Sequence, residues 1–208
     1  MRTAICFYNL RILRLQNKTK TNNILNGDIA EPHAIKFSTS ASQTKSTLDD
    51  HHHCVDLVRN RDRDGYLCGL LQPSGASRDA FFAIRAFNVE IASIKDGQKS
   101  RSAGSVQASQ MKMQWWREAV ADMYLENPNK DNPLQNPAAL HQPVVRSLDT
   151  AVKDWGLTRR FLDKMVDARE RDLEVEQLDS MDELIRYGAE TWACLLYLNL
   201  ESVNVSFY

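Results

Sequence analysis

The 208-residue sequence predicts an all-α fold, on three observations. Glycine and proline are scarce, at eight and six residues, and they punctuate the chain rather than fill it, which disfavours a turn-rich β architecture. Apolar residues return at helical spacing, most clearly at Phe81, Ile84, Phe87, Ile91 and Ile94. No stretch reads convincingly as a strand, so about six helices should pack around one core.

The elements follow in order. "CVDLVRNRDRDGYLCGLLQP" reads as a helical segment stopped by Pro73. "SGASRDAFFAIRAFNVEIASIKD" is the second, with Ser77 as N-cap, Asp79 near the positive end of the helix dipole and Gly97 as the stop. After the loop "DGQKSRSAGS", "SVQASQMKMQWWREAVADMYLEN" is a long amphipathic helix, closed by the Pro-punctuated "NPNKDNPLQNP". Pro143 can open the next helix and Gly156 end it. Thr158 caps "RRFLDKMVDARERDLEVEQL", and Asp179 or Ser180 caps "MDELIRYGAETWACLLYLNLES".

Net charge is −1, which gives no basic surface for nucleic acid. The charge is uneven: Met1 to Leu48 hold seven Lys or Arg against Asp28 and Glu31, a balance of +5. In "RTAICFYNLRILRL" basic and apolar residues segregate as an amphipathic helix would place them, and "IKFSTSAS" reads as a protease-cleavage region. A mitochondrial import signal over residues 1–45 is expected, then a linker over 46–54, a helical domain over 55–203 and a tail over 204–208. Cys6, Cys54, Cys68 and Cys194 show no metal spacing and fit a reducing compartment such as the matrix. No apolar run reaches the ~18 residues of a membrane span, so any membrane contact is expected to be peripheral.

Few residues suggest chemistry. His51, His52 and His53 sit next to one another, and on a helix adjacent side chains diverge by roughly 100° and cannot converge on one ion. Asp163 and Asp167 stand one helical turn apart, a spacing that can share a hard cation such as Mg²⁺. The alternating charges around them, Lys164, Arg169 and Arg171, instead describe a solvent-facing, ion-paired helix. Trp115 and Trp116 cannot both enter one core; one is expected to be buried and the other to face a groove or partner.

In this order the segments resemble the squalene/phytoene synthase family. "YLCGLLQPSGASRDAFFAIRAFNVEIA" is similar to the family's first helix pair, and "MQWWREAVADMY", "HQPVVRSLDTAVKDWGL", "FLDKMVDARERDL" and "ELIRYGAETWACLLYLNL" to the segments that follow. The resemblance covers about Val55 to Leu200. It implies an isoprenoid-synthase-like helical bundle, incomplete at the C-terminus. Active members use two aspartate-rich helices whose carboxylates hold Mg²⁺ against a prenyl diphosphate. Aligned on "AIRAF", the first motif's leading acid falls on Ala92 and the next on Ser93; only the last is kept, as Asp96. Glu90 lies on another face of that helix and does not replace them. The second motif belongs to a helix beyond "YGAETWACLLYLNL", past the point where the sequence stops at Tyr208.

No catalytic residue, metal site or cofactor is therefore expected. Within the family, "AFNVEIA" and "WWREAVADMY" are most similar to a mitochondrial branch, which implies a non-catalytic role in building respiratory complex I. The implied partners are complex I subunits or other assembly factors, at the matrix side of the inner membrane and peripheral to it. The alternatives are a divergent prenyl diphosphate transferase, with Asp96, Asp163, Asp167 and Asp172 as candidate metal ligands, or a truncated product without activity.

Overall fold

A computed structural model of the chain describes residues 41–73, 75–98, 103–125, 139 and 141–205. The import signal expected over 1–45 lies outside these apart from its last five residues. The helices are α1 (Ala41–Arg61), α2 (Arg63–Leu70), α3 (Ala76–Asp96), α4 (Ala103–Met123), α5 (Pro143–Trp155), α6 (Arg159–Asp172), α7 (Met181–Gly188) and α8 (Cys194–Glu201). A single π turn, Ala189–Ala193, joins α7 to α8. Among the described residues there is no strand, and the fold is all-α.

Helix α3 is the centre. Every residue from Ala80 to Val89 is buried, as are Ile91 and Ile94, and a helix apolar on most of its circumference belongs inside a bundle. It packs against α1, α2, α4, α5, α6 and α8. Phe82 and Phe87 are fully enclosed, Phe82 edge-on to Phe81 and Phe87 edge-on to Trp116 at 5.4 Å between ring centroids. Glycine at position 69 lets α2 approach this core, because a β-carbon there would lie 2.4 Å from the Phe82 ring.

Local signals decide the helix ends. Pro143 occupies the first turn of α5, and Gly156 ends that helix in the left-handed region at φ 61°. Ser180 caps α7 by accepting from the Glu183 amide, while the Glu183 carboxylate accepts from the Asp179 amide. Thr158 stands at the N-cap of α6, but its hydroxyl donates to Glu201 at 2.6 Å, tying α6 to the end of α8. Three expectations differ, the first being the number of helices: the described residues hold eight rather than about six, because the first segment breaks at Asp62 and the last at the π turn. Gly75, at φ 101°, takes the N-cap of α3, so Ser77 lies inside the helix. Residues 46–54, expected as a linker, are helical within α1, where Asp50 and Cys54 are buried and find partners on other helices.

Those partners are electrostatic as well as apolar. Asp50, buried on α1, receives Arg146 of α5 through two guanidinium nitrogens, the Nε bond measuring 2.7 Å. Burial pushes the Cys54 thiol up to about 11, so it remains protonated at neutral pH. Asp62 sits where α1 ends and α2 begins. One of its oxygens accepts the Gly65 amide at 2.9 Å and caps α2; the other accepts Arg85 of α3 at 3.0 Å.

That last pair is deeply enclosed, with side-chain exposures of 8% for Arg85 and 15% for Asp62. Replacing Asp62 with Asn should cost about 3–5 kcal/mol, since it strands a buried guanidinium and weakens a cap. Urea denaturation checks this, and adding Arg85→Met to the same chain should recover part of the loss.

Candidate functional site

Two polar faces interrupt the otherwise apolar α3. Arg85, Asn88, Ala92 and Lys95 fall on one side of the helix, while Glu90, Ser93 and Ile94 fall roughly opposite, at about 100° per residue.

The first face meets α6 and the π turn, and Tyr187 of α7 joins it through Arg169. The Arg85 guanidinium lies over the rings of Phe81 and Trp192, at 5.4 Å and 5.6 Å from their centroids. Arg169 of α6 donates to Asn88 Oδ1 at 3.0 Å and to the Tyr187 hydroxyl at 3.2 Å. Lys95 donates to Asp172 Oδ1 and to the Val175 carbonyl, both at 2.9 Å. Burial raises the Tyr187 phenol above its ordinary value, with the nearby Arg169 charge opposing the shift. The π turn has a geometric part in this. In an α-helix, residues five apart diverge by about 140°, but one π turn brings Tyr187 and Trp192 closer to the same side, where both meet the α3–α6 seam.

Each candidate metal ligand on α6 is held by a basic side chain, and one of them, Asp172, lies in this seam. Asp172 is taken by Lys95, Asp163 by Arg159 at 3.2 Å, and Asp167 by Arg117 at 2.7 Å. Arg117 also holds Glu170 at 2.5 Å, and these two carboxylates raise its pKa further. Asp96 is exposed at the end of α3. The structure thus draws Asp163, Asp167 and Asp172 to three different basic side chains rather than to a shared point. Among the described residues, no three His, Cys, Asp or Glu side chains are grouped to hold a metal ion. His51 turns to Phe82 and lies 3.4 Å from Asp79. The ion-paired character of α6 was legible in its alternating charges. Arg85, Asn88, Lys95, Tyr187 and Trp192 were not singled out, although the polar spacing 85, 88, 95 within an apolar helix was an available signal.

The second face opens on a surface groove of about 360 Å³, lined by Glu90, Ser93, Ile94, Lys112, Trp115, Trp116 and Gln142. Trp116 is buried and Trp115 half-buried, their rings 5.0 Å apart and edge to face. The tryptophan pair thus divides as expected, one ring in the core and one lining a groove. Ser93 donates its hydroxyl to the Val89 carbonyl, leaving Glu90 as the acidic group of the groove. Burial raises the Glu90 carboxyl above its usual range, and a nearby His53 opposes the shift.

A carboxyl raised in the folded state adds stability below its unfolded pKa and loses that contribution as pH climbs through the folded one. Glu90→Gln should therefore leave the melting temperature unchanged near pH 4 and raise it by about 2 °C at pH 7. Paired thermal scans at the two pH values check this.

The sequence model described as squalene/phytoene synthase matches residues 58–206. A mouse protein named NADH dehydrogenase (ubiquinone) complex I, assembly factor 6 is 40% identical over 174 residues, 84% of this chain and 47% of its own length. The human protein of that name is 39% identical over the same shares. A Drosophila melanogaster homolog is 34% identical over 72% of this chain and 41% of its own. The chain spans about half the length of these curated relatives. No solved structure matches it.

Proposed function

This chain belongs to the squalene/phytoene synthase family, and from that premise we propose that it is a non-catalytic assembly factor for mitochondrial respiratory complex I, acting through protein contacts at the matrix side of the inner membrane. The observation that carries this reading is the similarity, at 38–40% identity over most of this chain, to four mammalian proteins named for complex I assembly.

The ion pairs of α6 support the non-catalytic part. Metal-assisted departure of a diphosphate needs carboxylates free to ligate a hard cation from several directions. Here Asp172 is neutralised by Lys95, and Asp163 and Asp167 by Arg159 and Arg117. Freeing them would break three ion pairs, two of which, Lys95–Asp172 and Arg117–Asp167, tie helices together. The basic, amphipathic pattern of residues 1–45 supports entry into mitochondria. Among the described residues no helix is long and apolar enough to cross a membrane, which fits peripheral attachment.

Asp96 separates this reading from a divergent prenyl diphosphate transferase, because it is the acid retained from the first motif and is exposed. In cells lacking the endogenous protein, the Asp96→Asn chain should restore complex I on native gels as fully as the unchanged chain. Neither should release diphosphate from farnesyl diphosphate with Mg²⁺. Loss of rescue by Asp96→Asn, together with Mg²⁺-dependent release by the unchanged chain, would establish the transferase instead.

A further inference from the structure

We propose that the groove between α3 and α4 receives an arginine side chain of a protein partner, stacked on Trp115 and paired with Glu90. The inference rests on what the groove offers and is independent of the partner's identity.

Three features converge. Trp115 leaves part of its indole at the groove wall, buttressed edge-on by the buried Trp116. Glu90 is half-buried on α3, and the attraction of His53 offsets its burial only in part, with no hydrogen bond to the carboxylate among the described residues. A carboxylate in that position is under-compensated: it has lost part of its hydration and gained no donor in return. A cation entering the groove would supply that donor. The size is informative too, since about 360 Å³ lies at the low end for ligand pockets and suits a side chain better than a large cofactor.

Arginine fits these features better than lysine. A guanidinium is planar, stacks on an indole face, and still directs parallel N–H groups at a carboxylate. It is also less strongly hydrated than an ammonium, so withdrawal from water costs less. The other charged groups are Lys112, on the α4 side, and His53, which acts on Glu90 from α1. Lys112 is exposed, and its long stem lets the ammonium swing out to solvent as a guanidinium enters. A protein supplies the occupant because Met111, one turn before Trp115 on α4, is 68% exposed and extends the contact beyond the groove. Arginine and tryptophan anchors with a surrounding apolar contact are how protein interfaces concentrate their binding energy.

The test uses the full chain with ¹⁵N-labelled tryptophan, the Trp115 indole signal being assigned with Trp115→Phe. N-acetyl-arginine methylamide is titrated beside its neutral isostere N-acetyl-citrulline methylamide. The arginine probe should shift the Trp115 signal with an apparent affinity about fivefold above the citrulline probe. That preference should vanish in Glu90→Gln, whose unchanged far-UV spectrum and cooperative melting report an intact fold. Equal response to the two probes, or a preference surviving in Glu90→Gln, overturns the proposal. A photo-crosslinker replacing Met111 in cells tests the source of the arginine. A crosslinked peptide whose own Arg→Ala change removes the adduct supports a protein partner. Probe binding without such an arginine-dependent adduct assigns the groove to a small cation and overturns the partner assignment. None of these readouts depends on complex I assembly.

Discussion

Helix α3 is enclosed by six other helices, so a charge on its deeply buried side has to be matched by something a neighbour supplies. The Arg85–Asp62 pair shows how far that constraint reaches. A guanidinium with this little exposure is tolerable only with a fixed counter-charge. Asp62 supplies one, and the same carboxylate caps α2 just after α1 ends. The break between the first two helices, the seating of α2 over Phe82 and the neutralisation of α3 thus share one residue. Gly69 completes the arrangement, since the closeness of α2 to the Phe82 ring leaves no room for a β-carbon.

The same constraint governs the seam further along α3. In this chain the positive charge is covalent: Lys95 and Arg169 reach across from α3 and α6, and Asp172, Asn88 and Tyr187 receive them. Covalent cations cannot leave with a product or be exchanged, so they suit a seam that holds helices together. Arg169 illustrates the compromise. Its hydrogen bonds go to two uncharged oxygens, with the Tyr187 ring alongside, so local dipoles and a π face stabilise its charge.

How much of this was legible follows from what each residue depends on. The cores of α3 and α5 were visible because apolar periodicity and Pro or Gly punctuation are local properties, and Pro143 and Gly156 behave as their chemistry requires. The ion-paired character of α6 was visible in its alternating charges. Helix α1 was not read before Cys54, because "QTKSTLDDHHH" has little apolar content and its helicity depends on distant partners, Arg146 for Asp50 and Phe82 for His51. Ser77 was chosen as a cap on residue type alone, while the chain turns at Gly75 through a conformation glycine adopts readily. Of the candidate ligands, Asp163 and Asp167 were recognisable as paired with bases, but the bases themselves, Arg159 and Arg117, lie on two different helices.

The C-terminal helices show the opposite balance to α3. Helix α7 buries none of its residues, and Met181, Leu184 and Ile185 stand 50% or more exposed, with Trp192 and Leu196 continuing the apolar surface beyond the π turn. Such a surface ordinarily marks a contact, and its cost falls unevenly. Helix α8 is anchored by buried Leu195 and Leu198 and by the bond from Thr158 to Glu201. Helix α7 depends on its Ser180 cap and on the hydrogen bond between Tyr187 and Arg169. The π turn between them therefore joins a well-anchored helix to a lightly held one. Tyr187 stands in the last turn of the second and Trp192 belongs to the π turn itself, so both aromatic residues that close the seam lie at this junction.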